Sequence, residues 1–138
     1  MTKKRADTPR DRERYAIVWL PEAEHFLLNL NPQKDVADRV LMKLIKKLEY
    51  LEQFGRYLER PHAAKLAGYE GVYELRVEDE SGWYRLFYGF GPMDGTGATQ
   101  VALLHGVIKH EANPPLTEYQ RAETRLREWK KSPGMPTR

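Results

Sequence analysis

The fold is decided between residues 72 and 90, which read VYELRVEDESGWYRLFYGF. Residues 72–77 and 83–90 alternate in the way that predicts two β-strands, and residues 78–82 have the composition of a turn. Side chains two residues apart in a strand share a face. One face of this hairpin therefore carries Tyr73, Leu75, Val77, Tyr84, Leu86 and Tyr88. The other face carries Glu74, Arg76, Trp83, Arg85 and Phe87.

The segments on both sides of the hairpin predict an α+β fold. Residues 101–108 form a nearly continuous apolar run, typical of a strand that is covered on both sides. Because the links between residues 72 and 108 are short, the three strands should form an antiparallel meander. Residues 15–20 predict an N-terminal strand, 22–30 and 32–54 a helical hairpin, and 116–130 a C-terminal helix. If the helices pack on one face of the sheet, the opposite face exposes Glu74, Arg76, Trp83 and Arg85.

The long helix has clear start and stop signals. Asn31 and Pro32 predict an N-cap followed by proline at the first helical position, and Gly55 predicts the end. Between them, apolar residues recur every three or four positions, which indicates one buried side. This stripe consists of Val36, Val40, Leu44, Leu48 and Leu51, widened by Leu41 and Ile45.

Composition limits the classes of protein to which the chain can belong. At 138 residues it fits one domain, expected at 15–131 between a disordered basic tail (1–14) and a flexible C-terminal tail (132–138). The chain has no cysteine, which excludes disulfides and a cysteine nucleophile. No apolar run could span a membrane and no signal peptide is evident, so we expect a cytoplasmic protein without a membrane partner. The net charge of +3 permits nucleic-acid binding without arguing strongly for it.

The histidines are isolated from one another in the sequence. His105 lies within an apolar strand and is expected to be a hydrogen-bonded core residue, whereas His25 and His62 are expected at the surface. Since no spacing of His, Asp or Glu resembles a metal site, we expect neither a metal nor a cofactor.

A succession of short motifs carries a family resemblance. Lys65 and Leu66 precede GVYELR (71–76), WYRLFY (83–88) and LLHGVIK (103–109), and a proline then leads into a basic final helix. This order resembles the phage-derived HigB-like branch of the RelE/ParE toxin superfamily, over residues 15–131. The resemblance implies a RelE-like fold. It also implies a type II toxin–antitoxin toxin that cuts messenger RNA on the ribosome and so inhibits translation.

The resemblance also implies where the site lies. It places basic residues on a concave sheet surface, where they hold messenger RNA in the ribosomal A site. By matching positions, the expected catalytic residues are Arg76, Arg85, Lys109 and His110. The expected RNA-binding residues are Arg76, Arg85, Trp83, Lys109, Arg121 and Arg125, with Tyr119 a weaker match in the final helix. The implied partners are a cognate antitoxin, often a helix-turn-helix protein, and the ribosome with its message.

These residue types suit an endoribonuclease that needs no metal. The 2′-hydroxyl attacks the neighbouring phosphorus, which requires a base, cations over the phosphate and help for the leaving 5′-oxygen. A guanidinium binds phosphate oxygens in two places, and His110 could act as acid or base because the unperturbed pKa of histidine is about 6.5. The alternatives are structural. Arg76 and Arg85 could form salt bridges with Glu74, His110 could be an exposed loop residue, and Tyr119 could belong to the core.

Two other functions stay open at this point. ParE-type members of the superfamily bind DNA gyrase and cleave nothing, so the fold alone does not fix the activity. The chain could also be a catalytically inactive, nucleic-acid-binding relative, because residues 109–115 read KHEANPP where this branch often has more cations. A nuclease requires Arg76, Arg85 and the pair Lys109 and His110 to converge, whereas a gyrase inhibitor does not.

Overall fold

A five-stranded sheet organises the computed structural model, which describes residues 13–109 and 116–133. The elements of the described residues follow in chain order. They are β1 (Tyr15–Trp19), α1 (Pro21–Leu28), α2 (Lys34–Phe54), β2 (Ala63–Lys65), β3 (Tyr73–Asp79), β4 (Gly82–Met93), β5 (Thr99–Lys109) and α3 (Leu116–Lys131). A short 3-10 turn, Gly55–Tyr57, follows α2. The protein is α+β, as the sequence predicts.

The strand order is β1-β5-β4-β3-β2. The predicted antiparallel meander of β3, β4 and β5 is confirmed, and one further strand lies at each edge. β1 pairs in parallel with β5, because two helices lie between β1 and the meander and carry the chain across the sheet. β2 is not evident from the sequence, since its three residues, AAK, show no alternation. It pairs with the edge that β3 would otherwise leave open.

The loop between β4 and β5 is shorter than predicted. The sequence suggests a flexible segment at 91–97, but β4 continues to Met93 and β5 begins at Thr99. The Asp94 carboxylate accepts hydrogen bonds from the backbone N–H groups of Thr96 and Ala98, at 2.8 and 3.1 Å, and from the Thr96 hydroxyl. These bonds close the turn locally and allow the two strands to extend.

The first face of the sheet is covered by α1 and α2. The predicted inward residues of β3 and β4 are buried there, apart from the partly buried Tyr73, and Val40, Leu44 and Leu51 of α2 pack against them. Two details of the predicted long helix are wrong. Ile45 is 41% exposed, so the buried stripe is narrower than predicted. The helix also begins at Lys34 because the Asn31 side chain accepts a hydrogen bond from the Gln33 N–H in a turn before it.

The second face is not open, which corrects the prediction that all helices lie on one side. α3 packs across it, with Ala122, Leu126 and Trp129 buried against Phe87 and other apolar residues of the sheet. Gly89 and Gly91 of β4 make this possible. A Cβ atom at either position would overlap the side chain of Leu126 or Trp129, respectively. The sequence shows an apolar side on the final helix but does not show which face of the sheet receives it.

One carboxylate joins α2 to the β3–β4 turn. Asp79, whose side chain is fully buried, accepts two hydrogen bonds from Arg39, at 2.8 and 2.9 Å, and one from Lys43 at 2.9 Å. The backbone and hydroxyl of Ser81 donate to the same carboxylate. The Arg39, Lys43 and Ser81 donors hold the pKa of Asp79 well below its ordinary value. The hairpin that carries Arg76 and Arg85 is therefore fixed to the long helix.

The predicted tails fall mostly outside the described residues. Residues 1–12 and 134–138 are not described, and the same holds for 110–115. Glu13 and Arg14, which the sequence assigns to the N-terminal tail, are bonded to the domain. Glu13 accepts a hydrogen bond from the Tyr15 hydroxyl, and the Arg14 carbonyl accepts one from the Thr99 N–H. Within the described part of the chain, no helix is both long enough and apolar enough to span a membrane.

Candidate functional site

Three strands bring predicted site residues to one corner of the sheet. On the face that α3 packs against, Arg76 of β3 is the register partner of Arg85 of β4, and Trp83 of β4 is the partner of Lys109 of β5. Register partners project from the same face with Cβ atoms about 4.5–5.5 Å apart. Tyr119 of α3 borders this corner through its contact with Phe87. Together, the sheet-face cluster consists of Arg76, Trp83, Arg85, Lys109 and Tyr119.

Two carboxylates of β3 hold the arginines. Like charges on register partners repel each other, and Glu74 and Glu78 offset this repulsion. Glu74 Oε2 accepts a hydrogen bond from Arg76 Nε at 2.8 Å and lies 2.8 Å from Arg76 Nη2. The same oxygen is 3.8 Å from Arg85 Nε. Glu78 Oε2 lies 3.3 Å from Arg85 Nη2. The sequence left open whether Arg76 forms a salt bridge with Glu74 instead of serving in a site. That salt bridge is present, and both residues belong to β3.

Arg85 is buried, which corrects the prediction that it lies on an exposed face. It is 3% exposed, and so is Glu74 beside it, because α3 crosses this face and Trp83 lies close to the guanidinium. The hydrogen bonds of Arg85 to Glu78 and to the Tyr84 carbonyl are both 3.3 Å long, whereas charge-assisted bonds are typically about 2.7–2.9 Å. Among the described residues, Arg85 Nε and Glu74 Oε1 have no hydrogen-bond partner. Arg85 is thus a buried cation whose hydrogen bonds are long.

Trp83 is the exposed aromatic residue of the cluster. It is 41% exposed, and its ring lies 5.5 Å from Lys109 Nζ and 5.8 Å from the Arg85 guanidinium carbon. Both distances are within the range of cation–π attraction. Partial burial and the nearby charge of Arg85 lower the pKa of Lys109. Lys109 therefore gives up its proton more readily than an ordinary lysine, at a position next to a ring that can stack on a base.

Tyr119 connects the cluster to the core beneath α3. Its ring centroid lies 5.3 Å from that of Tyr69 and 5.8 Å from that of Phe87. Burial and the charge of Glu74 raise the pKa of Tyr119, so the hydroxyl keeps its proton. The packing agrees with a core role, and the position beside Glu74 agrees with the weaker match to a site residue. The sequence suggests either a core role or a site role for Tyr119, and its surroundings include contacts of both kinds.

Arg121 and Arg125 belong to a different network of α3. Arg121 forms an ion pair with Glu118 at 3.2 Å, and Arg125 Nη1 donates to His105 Nδ1 at 2.8 Å. Arg125 Nε is also 3.5 Å from Glu22 of α1. None of the contacts described for these two arginines involves the sheet-face cluster. The structure therefore separates them from the residues with which the sequence groups them.

His105 is a buried, hydrogen-bonded residue, as predicted. With Nδ1 accepting from Arg125, the Nε2–H group donates to Glu118 Oε1 at 3.2 Å. Burial and the charges of Arg125 and Arg121 lower the pKa of His105 to about 3, so the ring is neutral at pH 7. It joins β5 to α3 and lies edge-on to Phe87.

His110 lies outside the described residues, as does the rest of the segment 110–115. Its predicted part in the chemistry has no structural description, and Lys109 is the last described residue before it. Among the residues that are described, no group of three or more His, Cys, Asp or Glu side chains is placed to hold a metal ion.

Sequence reasoning missed a second basic region at the other side of Arg76. Lys47 Nζ lies 2.9 Å from His62 Nδ1, and His62 is half-buried rather than on the open surface. The sequence does indicate part of this basic region, because the spacing of Lys43, Lys46 and Lys47 puts three cations on one side of a helix. Their histidine partner follows 15 residues later and is brought there by the tertiary fold. No local pattern shows this contact.

No curated protein matches the chain. The sequence profile of the phage-derived Gp49-like proteins matches residues 32–127, which is more than two thirds of the chain. The matched segment includes β2 to β5 and the whole sheet-face cluster, and it omits β1 and α1. The chain therefore belongs to the family of phage-derived Gp49-like proteins.

Proposed function

We propose that the protein is the toxin of a type II toxin–antitoxin system and that it cleaves messenger RNA on the ribosome. Membership of a phage-derived family and the α+β fold are compatible with the HigB-like resemblance of the sequence. The observation that carries the proposal is the convergence of Arg76, Arg85 and Lys109 beside the exposed ring of Trp83. Three cations and a stacking surface at one point suit a phosphodiester and its adjoining base.

Each side chain of the cluster has a distinct part in the proposed reaction. The 2′-hydroxyl attacks phosphorus, the bond from phosphorus to the 5′-oxygen breaks, and a 2′,3′-cyclic phosphate and a 5′-hydroxyl result. Arg76 and Lys109 contact the phosphate, while Arg85 supplies a buried positive charge where negative charge develops. The lowered pKa of Lys109 allows it to exchange a proton with the reacting oxygens. His110, next in the chain, is the other proposed acid or base.

The proposal includes a partner and a location. A toxin of this kind requires an antitoxin that blocks it, for which we propose a helix-turn-helix protein encoded beside it. Action on translating ribosomes places the protein in the cytoplasm, with messenger RNA as substrate and no membrane partner. The cations of the chain itself stabilise the phosphate in this reaction, so the proposal invokes no metal or other cofactor.

A second function is favoured by one specific observation. Arg85 is buried between Glu74 and Glu78, and Arg76 is bonded to Glu74. If these carboxylates keep the arginines from the phosphate, the protein binds nucleic acid without cutting it. The sheet-face cluster would then be a binding surface only. The gyrase-inhibitor alternative has no comparable support, because it does not require the cluster.

Induced expression in cells distinguishes these functions. Without its antitoxin, the protein should stop incorporation of labelled amino acids before it stops incorporation of labelled thymidine, and transcripts should be cut where ribosomes occupy them. Arg76→Gln, expressed at the same level, should leave both processes running. If thymidine incorporation stops first while transcripts stay intact, the protein acts on replication and the proposal is wrong. If neither process stops, the non-cleaving function is favoured.

A further inference from the structure

A basic cleft lies between α2 and the edge of the sheet formed by β2 and β3. It has a volume of 390 Å³. Its polar lining includes Lys43, Lys46, Lys47, Tyr50, His62 and Arg76. The cleft and the sheet-face cluster meet at Arg76, which borders both. The predicted site residues other than Arg76 do not line it.

The fold fixes the walls of this cleft. Lys46 and Lys47 come three and four positions after Lys43 on α2, so both lie next to Lys43 on one side of the helix. The opposite wall is held by the backbone, because the His62 carbonyl accepts a hydrogen bond from the Arg76 N–H at 2.9 Å. The Tyr50 ring lies edge-on to the His62 ring with centroids 4.8 Å apart. These contacts make the cleft a defined feature of the fold.

The positive charge of the cleft is only partly offset. Lys43 is bonded to Asp79 and Arg76 to Glu74. Lys47, in contrast, is bonded to the neutral acceptor Nδ1 of His62, and Lys46 lies 6.0 Å from the ring of Tyr50. Within the described part of the chain, no carboxylate is in salt-bridge contact with Lys46 or Lys47. Glu78 is the one acidic residue of the lining, so cations outnumber anions there.

A partly buried ammonium group next to a neutral imidazole is unfavourable unless an anion joins them. Burial lowers the pKa of Lys47, and burial together with the charge of Lys47 lowers that of His62. A phosphate oxygen in the cleft would accept hydrogen bonds from both lysines and would reverse these effects.

We propose that the cleft of Lys46, Lys47 and His62 binds a phosphodiester group of the same RNA strand that lies on the sheet-face cluster. This inference rests on the proposed function for the identity of the ligand as RNA. Arg76 stands at the junction, so the strand passes it between the two sites. The cleft then contributes to affinity and to the register of the strand without taking part in bond breaking.

Binding of uncleavable RNA tests the cleft without any need for cleavage. The probes are a trinucleotide and a decanucleotide of 2′-O-methyl RNA, titrated at several salt concentrations with fluorescence anisotropy as the readout. In the test variant, Lys46→Gln and Lys47→Gln are combined. In the matched control, Lys34→Gln and Lys131→Gln remove the same charge from exposed positions on α2 and α3. Thermal unfolding verifies that both variants fold.

The test variant should bind the decanucleotide on the order of tenfold more weakly than the control does. Compared with the control, its plot of log affinity against log salt should be shallower by about 0.7, since one phosphate contact with a single strand is removed. The trinucleotide, which the sheet-face cluster can hold alone, should bind both variants similarly. Combining Lys46→Arg with Lys47→Arg should retain tight binding. In the wild-type protein, the decanucleotide should shift the side-chain NMR signals of His62.

Three results separate this inference from the proposed function. If the test and control variants bind the decanucleotide equally, or the wild-type protein does not bind it at low salt, the cleft is not an RNA site. That conclusion would hold whether or not the protein cuts messages on ribosomes. If binding falls as expected while ribosome-bound messages stay intact, the cleft is supported and the cleavage function is wrong.

Discussion

Arg76 and Arg85 are register partners with the same side chain in different surroundings. Arg76 is half-buried and forms a short ion pair with Glu74, whereas Arg85 is almost completely buried and has only long contacts. Removing one member of a buried charge network leaves the other members without compensation. Glu74 is buried beside both arginines, but the Arg85 charge is itself buried, whereas Arg76 is partly exposed to water. The two arginines should therefore differ in what their loss does to the fold.

The matched substitutions Arg76→Gln and Arg85→Gln test this difference. Arg76→Gln should lower the rate of cleavage by about 10²–10³ and cost about 1–3 kcal/mol of unfolding free energy, because the buried Glu74 loses its short ion pair. Arg85→Gln should lower the rate as well, and should cost about 3–5 kcal/mol because it removes a buried charge that faces both Glu74 and Glu78. Urea unfolding and a ribosome-dependent cleavage assay measure the two effects. Lys65→Gln, on an exposed residue of β2, serves as control. Cleavage by Arg76→Gln at the wild-type rate would remove Arg76 from the site.

At the scale of secondary-structure elements, α3 is positioned by two glycines. Gly89 and Gly91 leave room on β4 for Leu126 and Trp129, and α3 in turn carries Tyr119 to the sheet-face cluster. Trp129 is completely buried, so its contact with Gly91 has no space into which it can relax. The packing of α3 against the sheet should therefore be sensitive to a single methyl group added at Gly91.

Gly91→Ala should destabilise the protein by about 1–3 kcal/mol through overlap with the Trp129 ring. Gly95→Ala is the matched control, because a Cβ atom at Gly95 has no neighbour within 4 Å among the described atoms. Thermal unfolding of both variants measures the difference. Combining Gly91→Ala with Trp129→Leu should recover part of the stability that Trp129→Leu alone loses. Equal melting temperatures for Gly91→Ala and Gly95→Ala would mean that Trp129 of α3 does not pack against Gly91.

Two other contacts between elements make the fold sensitive to acid. Asp79 joins α2 to the β3–β4 turn, and its pKa is lowered by Arg39 and Lys43. His105 joins β5 to α3, and its pKa of about 3 in the folded state lies below about 6.5 in the unfolded chain. For each group, the unfolded chain binds more protons than the folded protein at any pH between the folded-state pKa and the unfolded-state pKa. Stability therefore falls as the pH falls through that range.

Unfolding free energy should decrease in two stages on acidification. The first, below about pH 6.5, comes mainly from His105 with a further contribution from His62, whose pKa is also lowered, and the second, below about pH 3.9, comes from Asp79. His105→Gln should flatten the first stage, whereas His25→Gln, at an exposed position of α1, should not. Asp79→Asn should flatten the second stage and cost about 1–3 kcal/mol at neutral pH. Urea unfolding at a series of pH values measures both. A first stage of undiminished size in His105→Gln would contradict the assignment of that stage mainly to His105.

Local patterns in the sequence account for much of this structure. The alternation of residues 72–90 predicts which residues share a face, and this places Arg76, Arg85 and Trp83 together correctly. Gly55 ends α2 as predicted, with φ of 51°. The burial of Arg85 follows from where α3 crosses the sheet, and the contact of Lys47 with His62 follows from the return of the chain along α2. Such contacts depend on packing between distant segments, which no local pattern encodes.

In the molecule as a whole, α1 and α2 cover one face of the sheet and α3 packs across the other, so that Arg85 is buried while Arg76 and Trp83 stay partly exposed. The basic cleft continues from the sheet-face cluster along α2 through Arg76. The two regions together form a track of positive charge that is suited to a single nucleic-acid strand. The family match covers both regions, so this arrangement lies within the part of the chain that defines the family.

We propose that the sheet-face cluster cleaves ribosome-bound messenger RNA by attack of the 2′-hydroxyl. Mapping the RNA ends produced in a purified translation system, with the wild-type protein and Arg76→Gln in parallel, tests this proposal. We expect ends with 2′,3′-cyclic or 3′-phosphate that appear only when ribosomes are present. They should persist in excess EDTA when polyamine holds the ribosomes together, and should be nearly absent with Arg76→Gln. Intact messages, or 3′-hydroxyl ends made by an activated water, would contradict it.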